Sequence, residues 1–357
     1  MNIVKSARAY EDWLGGQLKD ELVKKDIKKK HKKMAAGPFE FLRATYWRWA
    51  EAIFDVCPDL AEAPSVLAVG DIHLENFGTW RDADGRLTWG VNDFDEASEM
   101  PYVLDLVRLA VSAVLARKRN RIPTSAICAG ILDGYRAGLK NPGPFVLDDQ
   151  HRWLRDKVSV SDRARAGFWQ KIDAGLAHAA TPRRRYVTVL NASLPAPIDL
   201  TFFPRTAGTG SLGRPRFIGY GEWRGAPLVR EAKALVASGW TLAHKSANTA
   251  LRCADIANGS HRSPDPWYKI DRRVLVRRLS PNNRKIEVAD DAFILFDRHM
   301  IEAMGHELAS VHRGVIDRAE AIKRDLDRRT ARRFRAAVEA AAEFVAAEQK
   351  TWKNKGK

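Results

Sequence analysis

The spacing of apolar and polar positions divides the chain into three textures. Residues 5 to 33 read as polar helix. "GPFEFLRATYWRWAEAIF" (37 to 54) places aromatic and aliphatic side chains at helical spacing, and Pro38 suits a first helical turn. "PSVLAVG" (64 to 70) and "GRLTWGVND" (85 to 93) are apolar runs of strand length with a loop between them. "YVLDLVRLAVSAVLARKR" (102 to 119) and "PTSAICAGILDGYRAGL" (123 to 139) predict helices, and residues 144 to 182 read as helical and basic. Between 183 and 235, "RRRYVTVL", "RFIGYGEW" and "APLVREAKAL" are short alternating or β-branched runs separated by glycine, which predicts antiparallel strands. "YKIDRRVLVRRLS" (268 to 280) adds another strand, and residues 291 to 314 and 318 to 349 return to helix.

Helix-rich, β-rich, helix-rich is the signature of an α+β chain whose small sheet lobe is inserted between two parts of a helical lobe. The expected divisions are a basic helical N-terminal extension (1–34), a helical lobe (35–182), a β-rich lobe (183–285) and C-terminal helices that complete the helical lobe (286–357). The 357 residues, 45% hydrophobic, suffice for a large core. No apolar run reaches the length of a membrane span. The N-terminus lacks the apolar segment of a secretory signal. Cys57, Cys128 and Cys253 are scattered and lack metal-ligand spacing, so they read as buried free thiols. A cytoplasmic protein is expected. The formal charge is +16, concentrated in "KKDIKKKHKK" (24 to 33) and "RDLDRRTARRFR" (324 to 335). These read as solvated helix faces, with contact to a polyanion as the alternative.

Against that excess of cations, two short pieces gather acids. "GDIHLENFG" (70 to 78) and "VNDFDEA" (91 to 97) each follow an apolar run, where polar groups are displayed at strand ends. Aspartate and asparagine oxygens suit magnesium, which takes a few protein ligands and completes its shell with phosphate and water. Asn76, Asp93 and Asp95 are the candidate metal ligands. Asp71 and His73 are the candidate catalytic groups, an aspartate here being able to deprotonate an attacking hydroxyl. His73 equally suits a structural hydrogen bond, and Glu75, Asp95 and Glu96 suit solvated loop acids or caps. A metallohydrolase built on Asp71, His73 and Asp93 finds no H-x-H or H-E-x-x-H pair to support it.

Far downstream, Gly208, Gly210 and Gly213 form G-x-G-x-x-G. "RPRFIGYGEW" comes next, with a proline and no helical periodicity, which argues against a Rossmann turn and for a loop between strands that covers phosphates. Gly208, Gly210, Ser211 and Gly213 are the candidate phosphate cradle. Lys233, on the strand-like "PLVREAK", is the candidate phosphate-gripping lysine.

The D-x-x-x-x-N of Asp71 and Asn76, followed by "DFD", resembles the catalytic and metal-binding loops of aminoglycoside phosphotransferases and other small-molecule kinases, with Val69 in place of their leading histidine. The glycine loop and lysine come after the acidic loops instead of before them. "MIEAMGHELASVHRG" resembles the helix that precedes a kinase catalytic loop. The resemblance therefore implies a two-lobed protein-kinase-like fold, circularly permuted, using ATP and Mg2+. As a whole the chain resembles the bacterial domain-of-unknown-function family 2252, through "GPFEFLRATY", "GDIHLENFG", "NDFDEA", the P-x-x-x-DL-x-RL of residues 101 to 109, "GTGSLG" and the K-x-x-x-x-S of Lys233 to Ser238.

Similar phosphotransferases use an aspartate at the position of Asp105 to brace the active-site loops, and Arg43 is a candidate phosphate contact. One departure is that no glutamate lies between Lys233 and Pro266, so the partner of the lysine falls to Asp255, Glu231 or Glu222. The expectation is a nucleotide-dependent phosphotransferase acting on an unidentified hydroxyl. A nucleotide-binding pseudokinase, an AMP-transferring relative and a basic nucleic-acid-binding module are the alternatives.

Overall fold

The computed structural model describes residues 1–117 and 122–355; the last two residues of the predicted helix 102 to 119 lie outside them. The protein is α+β, with small antiparallel sheets packed among helices. Strands β1 (Ser65–Ala68), β2 (Phe77–Arg81), β3 (Leu87–Val91), β4 (Ser98–Pro101) and β5 (Phe145–Val146) build two of the sheets. β1 pairs with β4, and β3 pairs with both β2 and β5. The loop expected between the first two apolar runs thus contains β2, which forms a hairpin with β3. The third sheet uses β6 (Thr201–Pro204), β7 (Arg216–Trp223), β8 (Ala226–Ala234), β9 (Lys269–Asp271) and β10 (Val274–Leu279), in the spatial order β6-β7-β8-β10-β9.

Alternation along this sheet sets its chemistry. Val229, Glu231 and Lys233 of β8 share one face, and in register with them come Ile218 and Arg216 of β7 and Leu275 and Arg277 of β10. At one end of that face Phe203, Ile218 and Val229 pack under Ile172 of helix Asp162–Leu176. At the other end the charged members remain, and they face the candidate site.

Several expectations change. "RRRYVTVL" is a helix, Arg184–Asn191, because Tyr186, Val189 and Leu190 recur at helical spacing and bury together. The segment 37 to 54 is two helices, Pro38–Ala44 and Tyr46–Val56, broken where Thr45 leaves helical geometry (φ −130°, ψ 43°). The helix expected over 291 to 314 is likewise two, Val288–Leu295 and Arg298–Arg313. The N-terminal helices Ile3–Leu18 and Lys24–Ala36 bury Ile3, Leu14 and Met34 in the main core, so they do not project as an extension. The three cysteines are free and buried. Among the described residues no helix is long and apolar enough to cross a membrane.

Candidate active site

Helix Val103–Ala116 is buried almost throughout, yet it carries Asp105, Arg108 and Ser112. Spacings of three and four place these three on one stripe, and the stripe faces the turn after β1. Asp105 accepts the amide hydrogens of Val69 (2.7 Å) and Gly70 (2.9 Å). Arg108 donates to Oδ1 of Asp71 (2.5 Å), and Ser112 Oγ accepts from the amide of Leu74 (3.0 Å). Gly70 itself has φ +83°, the left-handed region that favours glycine. Asp105 is steadied in turn by His312 Nε2 at 3.0 Å, and the other nitrogen of that ring meets the hydroxyl of Tyr135 at 2.8 Å.

Asp71 is thus held by one oxygen. Burial pushes its carboxyl up to about 6, against the pull of Arg108. His73 accepts the amide hydrogen of Glu75 at Nδ1 (3.1 Å). Burial, reinforced by Arg43 and Lys285, holds the imidazole well below its ordinary range, so it is neutral with its proton on Nε2. Asn76 donates through Nδ2 to the backbone carbonyls of Asp71 (3.3 Å) and Asp93 (3.1 Å). It ties the two acidic stretches together and keeps Oδ1 as the remaining acceptor.

The second stretch is anchored from below and above. Arg262 donates to the carbonyl of Val91 (2.7 Å) and pairs with Glu307, which also accepts the Val91 amide hydrogen (3.1 Å). From the sheet, Lys233 Nζ reaches Asp95 Oδ2 (2.5 Å) and Asp93 Oδ1 (3.4 Å). Burial acts to raise Asp93, but Lys233, Arg277 and Lys285 outweigh it and hold that carboxyl below the usual range. Burial and the charge of Asp93 push Asp95 up. Glu96 takes Arg214 (2.7 Å) and the amide of Gly239 (2.6 Å), while its carbonyl accepts from Ser238 Oγ (2.9 Å). The K-x-x-x-x-S spacing therefore has a physical reason: Lys233 and Ser238 grip successive parts of one acidic turn.

Glu75 and Glu96 are buried, the Asp95 side chain is 8% exposed, and all three are paired instead of solvated. Glu75 meets Arg43 at 2.5 Å and accepts the amide hydrogen of Val288 (2.9 Å). None of the three acids considered for Lys233 is its partner. Asp255 pairs with Arg252 (2.5 Å), Glu222 is exposed, and Glu231 is enclosed by Arg205 (2.8 Å), Arg216 (2.7 Å) and Arg277 (2.8 Å).

The glycine loop closes over these groups. Gly208 (φ +73°) and Gly213 (φ +98°) bend it, and Arg216 fixes it by donating to Ser211 Oγ (3.0 Å). A β-carbon at Gly210 would stand 2.9 Å from Asp71 Oδ2 and 3.3 Å from the Arg43 carbonyl. A pocket of about 40 Å³ lies between, lined by Asp71, His73, Asn76, Asp93, Asp95 and the loop residues 208 to 211. It adjoins a second cavity of about 420 Å³, the two sharing Arg43, Asp93, Gly208, Thr209 and Lys285. The larger cavity carries aromatic walls (Trp80, Phe94, Tyr268) and several arginines of the sheet and of residues 277 to 284.

Every candidate site residue except Gly213 and Lys233 lines the small pocket. Lys233 reaches it through Asp93 and Asp95, and Gly213 shapes the loop from behind. Sequence reasoning missed Arg108, Lys285 and Lys30. Arg108 sits in a mostly apolar helix pattern, and nothing local marks Asp71 as its target. Lys285 lies in an unremarkable polar stretch, and among the described residues its ammonium has no hydrogen-bond or ion-pair partner.

No curated protein and no solved structure matches the chain. A family model described as an uncharacterized protein conserved in bacteria, DUF2252, matches residues 22–185, the half of the site that holds both acidic stretches and their supporting helix.

Proposed function

We propose that the protein is an ATP- and magnesium-dependent phosphotransferase with a circularly permuted kinase-like fold, acting on a hydroxyl group. The observation that carries this reading is the apposition of Gly210 and Asp71: a glycine loop and a D-x-x-x-x-N loop, distant in sequence, close on one pocket. His312, on the helix whose end resembles the one preceding a kinase catalytic loop, meets Asp105 at the base of the Asp71 turn. That junction supports the permutation, since it rejoins the C-terminal helix to the loop it would precede in the ordinary order. The 420 Å³ cavity is of a size that suits a small-molecule ligand.

The residues fit magnesium. Asp93 is ionised and its side chain is 37% exposed, Asn76 keeps Oδ1, and among the described residues no closed cage of His, Cys, Asp or Glu is preformed. This is the sparse oxygen set that magnesium shares with phosphates. When bound, an ion held by Asp93 and Asn76 would supply positive charge that offsets the charge of the phosphates. The chain's own groups do the rest. Loop residues 208 to 211 would cover the phosphates, Lys233 holds Asp93 and Asp95 in place, and Asp71 Oδ2 would receive the proton of the acceptor hydroxyl as its oxygen forms the new bond to phosphorus and ADP departs.

Nucleotide binding without transfer is the second reading, favoured by the loop's close seat on Asp71. Parallel incubations with γ-labelled or α-labelled ATP, magnesium and a panel of small-molecule and protein hydroxyl acceptors test both. Phosphoryl transfer gives labelled acceptor that disappears in Asp71→Asn. Label from the α-position alone means AMP transfer, and magnesium-dependent binding without labelled acceptor favours the second reading.

A further inference from the structure

The basic segment 24 to 33 exposes Lys24, Lys25, Lys28, Lys29, Lys32 and Lys33, as a solvated face would, but its other face buries Asp26 and Lys30. Helix Lys24–Ala36 lies along the glycine loop and holds it at several points. The amide of Val23, just before the helix, donates to the Gly213 carbonyl (2.9 Å), and Ile27 lies so close to Gly213 that a β-carbon there would stand 2.6 Å from it. Thr206 Oγ1 donates to Asp26 (3.1 Å) and accepts from Lys29 (3.3 Å), and Lys33 donates to Thr209 Oγ1 (3.2 Å). Lys30 is the central contact. It is 1% exposed, and its ammonium donates to the Gly210 carbonyl (2.9 Å). It stands 4.8 Å from the ring centres of both Tyr10 and Trp47, which stack on each other at 3.9 Å.

Among the described residues Lys30 has no carboxylate partner. A buried ammonium without one is costly, and burial lowers its pKa to about 7. The fold keeps this group at the apex of the loop that touches Asp71, where a methionine would pack at lower cost. We propose that Lys30 is a positioning residue: by fixing the Gly210 carbonyl it sets the direction of the loop amides over the phosphate pocket, so that the N-terminal helix is an integral wall of the nucleotide site. The effect on nucleotide affinity rests on the phosphotransferase reading; the effect on the loop does not.

The test uses the full chain and Lys30→Met, which suits the aromatic surroundings. Hydrogen–deuterium exchange of peptides spanning 205–214 reads loop order, calorimetry with magnesium–ATP reads affinity, and thermal unfolding reads global stability. In Lys30→Met, loop exchange rises about tenfold and affinity falls about tenfold, the worth of one charge-assisted hydrogen bond, with unchanged exchange elsewhere. Thr206→Val, a surface change that removes the hydroxyl contact with Asp26, moves both readouts the same way but less. Unchanged loop exchange in both variants, or an increase spread evenly over the whole chain, overturns the proposal. If the unmodified protein binds no nucleotide, the phosphotransferase reading fails and the exchange measurement still decides the role of Lys30.

Discussion

The ammonium of Lys233 lies 2.5 Å from Oδ2 of Asp95 and 3.4 Å from Oδ1 of Asp93. A strand lysine is thereby tied to the acidic turn itself and not to Asp255, Glu231 or Glu222. The side chains of Lys233 and Asp95 are 1% and 8% exposed, so breaking the pair leaves the carboxylate, among the described residues, with only its longer contact to Arg214 (3.4 Å). Lys233→Met should lower stability by about 3–5 kcal/mol. Lys233→Met/Asp95→Asn should recover a large part of that loss. Urea denaturation of the two single variants and the double variant gives the coupling directly. Additive losses would mean that the two side chains do not interact in solution.

Gly210 is the loop position that presses on Asp71. Its absent β-carbon would meet Asp71 Oδ2 at 2.9 Å and the backbone of Arg43 at 3.3 Å. Gly210→Ala must therefore lift the loop or displace Asp71. Transfer activity should fall by at least tenfold while thermal stability changes little, because the adjustment stays within the loop. Steady-state kinetics beside a melting curve checks this, and wild-type activity in Gly210→Ala would show that the loop does not seat on Asp71 during turnover.

The acid limb of the pH profile follows from Asp71. Burial raises its carboxyl from 3.8 to about 6, and the carboxylate is the form that accepts the hydroxyl proton. The transfer rate should climb as pH rises through about 6, flatten above 7, and fall tenfold per unit well below 6. The same shift acts on stability with a definite sign. The folded state binds the proton more tightly, so this contribution is present below the ordinary value and is lost as pH rises through about 6. A rate independent of pH between 5 and 8 would remove Asp71 from the role of base.

How much of this was legible depended on how local each signal was. Asp71, Asn76 and Asp93 are close in sequence and sit where short apolar runs end, so their convergence could be read from spacing. The glycine loop was legible from its downstream neighbours, a strand pattern containing Pro215 and no helix. The partner of Lys233 was not. Asp95 resembles any loop acid until the strand carrying Lys233 lands on it. Arg108 was hidden within an apolar helix pattern, where a single charge reads as noise unless its target is known. "RRRYVTVL" reads as strand through its β-branched residues, but that preference is weak, and the burial of Tyr186, Val189 and Leu190 decides for helix. The basic N-terminal helix reads as a solvated face, and most of its lysines are exposed; Lys30 is the exception, buried by the loop beneath it, which no local pattern marks.

The central claim is that one triphosphate spans both halves of the cleft. A crystal structure of the protein with magnesium and a non-hydrolysable ATP analogue tests it most directly. The phosphates should lie between the 208–211 loop and Asp93, with the terminal phosphate facing Asp71 Oδ2 and the metal on Asp93 and Asn76. An analogue seated elsewhere, or no bound analogue at saturating concentration, would contradict it.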